Sequence, residues 1–98
     1  MENLTLKKLS LEDINGLYEV SSLSLKETWS LDAIEKELSN KFARYIVCKD
    51  GDKVIGFIGA WLIASEGQIT NIAVHPDYRQ KGIGRKLLKS LIYKSDRL

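Results

Sequence analysis

The residues best suited to chemistry lie between positions 79 and 85, where basic side chains alternate with glycines. The run reads Arg79-Gln80-Lys81-Gly82-Ile83-Gly84-Arg85 and directly precedes a segment with helical periodicity. The first amides of a helix have no intrahelical partner and carry the positive end of the helix dipole. Glycine lacks a Cβ, so an anion can approach the backbone closely. The pattern predicts a phosphate or pyrophosphate site. A tight strand-to-helix turn without a ligand is the alternative reading.

Two elements must hold this loop. The preceding segment is rich in β-branched residues, which predicts a largely buried strand containing Ile69, Ile72 and Val74. Because proline cannot donate to a strand ladder, Pro76 should end the pairing at about His75. After the loop, apolar residues recur at helical spacing and predict an inner helix face. This face comprises Ile83, Leu87, Leu88, Leu91 and Ile92.

The N-terminal part predicts one strand followed by two helices. Asn3–Leu9 partly alternates and reads as the strand. Ser10 and Asp13 have capping-box spacing, so a first helix should follow with Ile14, Leu17 and Tyr18 buried. Ser21–Thr28 is predicted as a loop or ragged helix end. Ser30 is a good N-cap for a second helix, whose inner face would hold Leu31, Ile34 and Leu38.

The middle of the chain predicts a hairpin. Arg44–Lys49 reads as a strand that is apolar on both faces, and Asp50-Gly51 is a strong signal for a two-residue turn. Lys53–Ala64 should be a long strand in which Gly56 and Gly59 mark bulges or closely packed neighbours. The order β-α-α-β-β-β-α predicts an α+β fold with a mostly antiparallel sheet. Residues 1–98 are long enough for one domain.

Composition narrows the function. Residues 75–98 hold seven Lys or Arg against two Asp or Glu, a net charge of +5. This bias allows a nucleic-acid surface, but the charge clusters at the predicted anion loop, so we expect no nucleic-acid partner. Cys48 is the only cysteine and lies in an apolar run, which indicates packing. No metal site is predicted. The longest apolar stretch is shorter than the ~20 residues of a membrane span. With no recognisable leader, we predict a cytoplasmic protein without a membrane partner.

The loop and the strand before it resemble a known family. Arg79-x-x-Gly82-x-Gly84, after the strand sequence N-I-A-V-H-P-D-Y, is similar to the acetyl-CoA signature [QR]-x-x-G-x-[GA] of the GCN5-related N-acetyltransferases (GNAT). Asn71–Leu88 and Trp29-Ser30 look like the ribosomal-protein-alanine N-acetyltransferase (RimI) type within it. The F-P-W-S context of that type reads Glu27-Thr28-Trp29-Ser30 here, without the proline.

The resemblance implies a cofactor, a fold and a set of contacts. The cofactor is acetyl-CoA, and the fold is the N-terminal portion of the acyl-CoA N-acyltransferase fold, an α/β sandwich. In the family, the fourth-strand backbone, here Ile72, Ala73 and Val74, binds the pantetheine arm and helps to polarise the thioester. The loop amides of Gln80–Arg85 would hold the pyrophosphate. These contacts and Arg79 make up the expected cofactor site.

The resemblance assigns no catalytic side chain to this chain. The family type carries an acidic base on the next strand and a tyrosine acid after a further helix, both beyond Leu98. The chain therefore looks truncated. His75 and Glu66 read as surface turn residues, Tyr78 as a turn residue with no visible partner, and Tyr93 as solvent-facing. None of the four is given a catalytic role.

Three functions follow as hypotheses. The first is an acetyl-CoA-dependent N-acetyltransferase whose acceptor is a protein N-terminal amine, such as the alanine of a ribosomal protein. The second is a non-catalytic fragment that binds CoA or self-associates. The third, an RNA-binding protein, rests only on the basic C-terminal quarter. Because the fourth strand would have an unpaired edge, we also expect a homodimer or larger assembly through that edge or through the helix face it exposes.

Overall fold

The computed structural model describes residues 4–24, 30–63 and 66–95. Their element order is β-α-α-β-β-β-α, as the sequence predicts, with a short 3₁₀ turn before the first helix and another before the last. The strands are β1 (Leu4–Lys8), β2 (Ala43–Asp50), β3 (Lys53–Ile63) and β4 (Glu66–Val74); the helices are α1 (Ile14–Ser24), α2 (Leu31–Leu38) and α3 (Ile83–Ser95). The 3₁₀ turns are Leu11–Asp13 and Pro76–Tyr78.

The four strands form one antiparallel sheet in the order β1-β2-β3-β4. Asp50 pairs with Lys53, so the two turn residues of the β2–β3 hairpin are Gly51 and Asp52, one position later than predicted. Gly51 has φ +61°, which glycine adopts at little cost. The predicted hairpin is confirmed, and this shift fixes which β2 residue reaches the end of the sheet.

The core lies on both faces of the sheet, with β3 between its two halves. On one face α1 and α2 cover Val47 and Phe57 with Leu17 and Ile34. On the other face α3 covers the sheet with residues that include Ile83, Leu87 and Leu91. Cys48 is fully buried in this second half, as predicted, and burial raises the pKa of its thiol. Residues 54–60 of β3 are buried without a break.

Glycines in β3 allow close packing, as predicted. A Cβ at Gly59 would lie 2.6 Å from Cζ of the Tyr45 ring, so that ring rests on the bare backbone. A Cβ at Gly56 would lie 3.4 Å from Leu87 Cδ1 and 3.2 Å from the Ala73 carbonyl oxygen. The pairing register shifts between Gly59 and Ala60, next to the first of these contacts. Both glycines therefore let bulky neighbours approach the sheet.

Helix α1 continues through Ser24, so the first four residues of the segment predicted as a loop or ragged helix end are helical; the rest of that segment lies outside the described residues. Two packing predictions were wrong. Leu31 of α2 and Leu88 of α3 are exposed rather than inward-facing. Neighbouring elements do not extend over these positions, and a helical period alone cannot show how wide the covered face is. Among the described residues, no helix is long and apolar enough to cross a membrane.

Helix α1 begins at a buried charged cluster around Asp13. Ser10 donates to Asp13 Oδ2 through its backbone N (3.3 Å) and its Oγ (2.9 Å), which confirms the predicted cap at the N-terminus. Lys7 Nζ and Lys49 Nζ each lie 2.9 Å from the carboxylate, whose side chain is only 1% exposed. Burial opposes ionisation, but the hydrogen bonds from Lys49, Lys7 and Ser10 outweigh it and lower the pKa of Asp13 to about 2. The cluster ties α1 to β1 and β2.

Candidate functional site

The candidate site lies where β4 ends and α3 begins. Ile83, the first residue of α3, is buried with Leu87 against the sheet, and both contact the space above Gly56. This packing fixes the first turn of α3 close to the last residues of β4. The connecting segment must therefore reverse direction within a few residues, and its backbone stays at the surface.

The reversal starts with the 3₁₀ turn Pro76–Tyr78. His75 ends the pairing with β3 by donating its backbone N–H to the Ile55 carbonyl at 2.7 Å. Its ring Nδ1 then accepts from the Asp77 N–H at 3.1 Å and caps the turn. The prediction of a surface histidine was wrong, because His75 is only 8% exposed. An imidazole nitrogen can cap a turn as a hydroxyl does, which the residue type alone did not indicate.

Tyr78 also has partners that sequence reasoning missed. Its hydroxyl donates to Asp50 Oδ2 at 2.7 Å, and this hydrogen bond raises the pKa of Tyr78. Its ring meets the His75 ring edge-on at 5.8 Å, and Lys53 Nζ lies 5.8 Å from its centroid. Asp50 and Tyr78 are far apart in sequence, and only the shifted hairpin register brings the carboxylate to this corner. Tyr78 is thus anchored rather than a free turn residue.

The loop backbone after Tyr78 takes left-handed conformations at two positions. Gln80 has φ +64° and Gly82 has φ +77°. The Gly82 carbonyl accepts from the Lys86 N–H at 3.1 Å, which makes Gly82 the cap residue of α3. Within the described residues, no carbonyl outside α3 accepts from the amides of 80–85. A Cβ at Gly82 would meet no atom within 4 Å. The loop therefore presents uncommitted N–H donors to open space.

Three cations surround these donors. Arg79, Lys81 and Arg85 are exposed, and among the residues the structure describes none of them has a carboxylate within ion-pair distance. Arg79 Nε donates to the Val74 carbonyl at 3.3 Å, so its guanidinium lies across the strand end. An anion at the Gly82 backbone would face positive charge from both sides of the loop.

The strand before the loop has one free edge within the described residues, because β4 pairs only with β3. His75 and Ala73 lie opposite Ile55 and Phe57, and the His75–Ile55 bond marks these positions as the hydrogen-bonded ones. Antiparallel pairing alternates, so the backbone of Ile72 points to the free edge. The predicted buried strand was wrong in part: Ile69 and Ile72 are exposed by 50% and 41%. Among the described residues, no further strand lies beside β4 to cover them.

Other predicted residues fall outside this corner. Glu66 is the first residue of β4 rather than a turn residue, because the strand starts earlier than predicted. Tyr93 lies in α3, with a side chain outside the described part, and Trp29 lies outside the described residues altogether. Ser30 caps α2 by accepting from the Ala33 N–H at 3.2 Å, as predicted. Among the described residues, no cluster of three His, Cys, Asp or Glu side chains has the arrangement of a metal site.

Comparison with known proteins identifies the family and the fold. Residues 10–97 match the acetyltransferase (GNAT) family. The chain belongs to this family. The match spans every element from the first 3₁₀ turn to the end of α3. The α+β fold predicted from the element order and the acyltransferase fold implied by the family resemblance are both confirmed.

Three GNAT relatives resemble the chain closely. A Bacillus subtilis (strain 168) protein, provisionally named a ribosomal protein bS18-alanine N-acetyltransferase, is 34% identical over 87 residues, which are 88% of this chain and 58% of that protein. The crystal structure of the ribosomal-protein-S18-alanine N-acetyltransferase from Escherichia coli matches with a TM-score of 0.83 at 25% identity, covering 93% of this chain and 58% of that one. PaiA N-acetyltransferase from Thermoplasma acidophilum, solved with coenzyme A, matches with a TM-score of 0.81 at 25% identity, covering 96% and 72%.

The chain spans 58% of the length of the first two relatives. The family uses acetyl-CoA, and one neighbour holds coenzyme A.

Proposed function

We propose that this chain binds acetyl-CoA through the loop of residues 79–85. We also propose that it forms part of an acetyl-CoA-dependent N-acetyltransferase. The observation that carries the proposal is that, within the described residues, the backbone amides around Gly82 donate to no carbonyl outside α3. The cations beside them have no carboxylate partner among those residues. A diphosphate offers several acceptor oxygens to such donors, and charge-assisted hydrogen bonds contribute about 1.5–3 kcal/mol each. Backbone groups provide these bonds, so the contact needs open space more than particular side chains.

The remaining contacts follow from the direction of β4. With the diphosphate at the helix start, the pantetheine arm would run along the free edge beside Val74, Ala73 and Ile72. The outward backbone of Ile72 can bond the arm as an added strand would. Acetyl transfer proceeds through a tetrahedral oxyanion, and an N–H donor fixed on a strand edge can stabilise that charge. Val74 already accepts from Arg79 with its carbonyl, which places the guanidinium beside the arm.

We propose a protein N-terminal amine as the acceptor, such as the alanine of a ribosomal protein. Support comes from the Bacillus and Escherichia relatives, both of which are named for acetylation of the bS18 alanine. We further propose that residues 1–98 belong to one domain, because both halves of the core share β3. We also propose that the protein works in the cytoplasm.

Calorimetric titration with acetyl-CoA tests the loop assignment. We expect binding by the native chain and at least tenfold weaker binding by Gly82→Leu, since a side chain there occupies the open space over the amides. Gly51→Leu is the matched control, because Gly51 also has positive φ and open surroundings but lies in the hairpin turn. Equal affinity of the native and Gly82→Leu chains would show that the loop does not hold the cofactor.

Acetyl transfer is tested separately with a longer chain. The C-terminal part of the Bacillus relative, which this chain does not match, would be joined after residue 98. The fusion should transfer radiolabelled acetyl from acetyl-CoA to a peptide with the N-terminal sequence of bS18. The same peptide with a blocked N-terminus is the control. If a folded fusion binds acetyl-CoA but labels no alanyl N-terminus, the proposed acceptor is wrong.

A second candidate function is self-association of a non-catalytic CoA-binding chain. The free edge of β4 carries exposed Ile69 and Ile72, and apolar strand edges favour pairing with another chain. The proposed homodimer would pair β4 with β4. Sedimentation should show a dimer at high micromolar concentration, and Ile72→Lys should return it to monomer. A compact monomer for the native chain at that concentration would contradict the dimer.

A further inference from the structure

The loop of residues 79–85 has few contacts of its own. Its three basic side chains are exposed, and the space around Gly82 is open. At its far end the loop is fixed by the buried side chain of Ile83. At its near end the loop is held by the bond from exposed Arg79 to the Val74 carbonyl and by Tyr78, the residue directly before Arg79. The position of the loop amides therefore depends on how firmly Tyr78 is held.

Tyr78 is held by one residue each from β2 and β3 and by a residue directly after β4. Asp50 at the end of β2 accepts its hydroxyl at 2.7 Å. Lys53 at the start of β3 lies 5.8 Å from its ring centroid, and the buried His75 after β4 meets the ring edge-on. The hydrogen bond to a carboxylate is the directional contact of the three, and it fixes the position of the hydroxyl end of the ring.

We propose that Tyr78 is a positioning residue, which orients the diphosphate-binding loop by bonding the Asp50 carboxylate of the β2–β3 hairpin. The proposal rests on the proposed function and adds a residue outside the signature loop. A loop ordered before the ligand arrives loses less conformational entropy on binding, so affinity should depend on this bond.

The same bond has an electrostatic effect. Asp50 places a negative charge at the hydroxyl of Tyr78, the residue directly before a loop that must accept a diphosphate. While Tyr78 donates to the carboxylate and Lys53 stands nearby, part of that charge is offset locally. Without the hydroxyl, the carboxylate would face the anion with one partner fewer, and like charges at short range repel.

Calorimetry with two ligands tests the proposal. Tyr78→Phe should bind CoA about tenfold more weakly than the native chain, since the lost bond is to a charged group. It should bind pantetheine, which lacks the diphosphate, as the native chain does. Tyr18→Phe is the matched control, because Tyr18 is a half-buried tyrosine packed on the α1 side of the core; its CoA affinity should stay native.

The charge effect is tested by Tyr78→Phe combined with Asp50→Asn. The double variant should bind CoA more tightly than Tyr78→Phe alone, because it removes the Asp50 charge that has lost its tyrosine partner. A residue that only supports the fold would give no such recovery. Equal CoA affinity of the native and Tyr78→Phe chains, or equal losses for CoA and pantetheine, would overturn the proposal.

A ligand-free measurement separates this proposal from the proposed function. Heteronuclear NOE values for the Gly82 and Gly84 amides should fall in Tyr78→Phe and stay native in Tyr18→Phe. If the native chain fails to bind CoA, the proposed function is wrong, while these values still decide whether Tyr78 orders the loop. Unchanged values in Tyr78→Phe would overturn the positioning role whatever the chain binds.

Discussion

The glycines of β3 and the glycines of the loop perform opposite tasks. At Gly59 the Tyr45 ring occupies the place of a side chain, and at Gly56 helix α3 does so. At Gly82 the corresponding space is open and the backbone has φ +77°. The residue is the same, but β3 uses the missing Cβ for contact within the protein, whereas the loop leaves the space unfilled.

This difference assigns the glycines of β3 to the stability of the fold and Gly82 to the binding of a ligand. Adding a methyl group in β3 should cost stability and leave the intrinsic affinity of the folded molecules unchanged. Adding bulk in the loop should cost affinity and little stability. Substitutions at the two kinds of glycine, and one at the buried Asp13 carboxylate at the start of α1, test this division.

Gly59→Ala should have the largest effect on stability, a loss of about 2–3 kcal/mol in the free energy of unfolding. The new Cβ would lie 2.6 Å from Tyr45 Cζ, too close for the buried ring to keep its position. Urea denaturation measures the change. Gly67→Ala is the control, since its Cβ would meet only Leu62 Cδ2 at 3.2 Å, the end of a flexible side chain. If the two variants lose the same stability, the Tyr45 contact is not what restricts position 59.

Acid should lower the free energy of unfolding by protonating Asp13. The pKa of Asp13 is about 2 in the folded protein, below the ordinary aspartate pKa of 3.8. The ionised group thus adds about 2 kcal/mol of stability above pH 5. That stability falls as the pH drops from about 4 towards 2, where the carboxylate takes up a proton in the folded state too. Urea titrations at several pH values measure the slope.

Asp13→Asn should flatten that slope, because the group that titrates is gone. Asp52→Asn, in the exposed hairpin turn, is the control and should leave the slope as it is. A native slope in Asp13→Asn would show that other carboxylates account for the acid sensitivity.

Gly82→Ala should cost about 1 kcal/mol in stability, because a residue with a Cβ is strained at positive φ. Gly82→Asn should cost less, since asparagine tolerates this region better. Acetyl-CoA affinity should fall for both, but less than for Gly82→Leu. A loss of several kcal/mol in Gly82→Ala would mean that the loop contributes to the packed core after all.

Gly84→Ala should have the smallest effect and the opposite sign, a gain of about 0.5 kcal/mol. Gly84 lies in the first turn of α3 without positive φ, and its Cβ would meet Ile72 Cδ1 at an ordinary 3.8 Å. Alanine is the better helix former, and the family signature accepts alanine here. Thermal melting and an acetyl-CoA titration on the same sample measure both quantities. A clear loss of stability would show that α3 cannot form its first turn around a methyl group.

Local signals predicted most of the fold. The caps at Ser10 and Ser30, the hairpin at Gly51 and the two β3 glycines depend on a few adjacent residues, and each was found from the sequence. The exposure of Leu31 and Leu88 was not predicted, since it depends on which neighbours reach over a helix. Side-chain periodicity shows where an apolar stripe begins but not where its cover ends.

The candidate site divides in the same way. The glycine and cation pattern of the loop was visible in the sequence, because adjacent residues form it. The anchors of Tyr78 were not visible, since Asp50 and Lys53 come from a distant hairpin and depend on its register. The charge cluster of Asp13 with Lys49 was missed for the same reason.

The unbroken burial of residues 54–60 in β3 has a consequence for how the protein opens. This strand is covered on both faces and paired on both edges, by β2 and β4. Its amides can exchange hydrogen with solvent only when the whole sheet comes apart, whereas the loop amides need no such event. The slowest-exchanging amides should therefore report global unfolding, while the ligand-facing backbone equilibrates within the intact molecule.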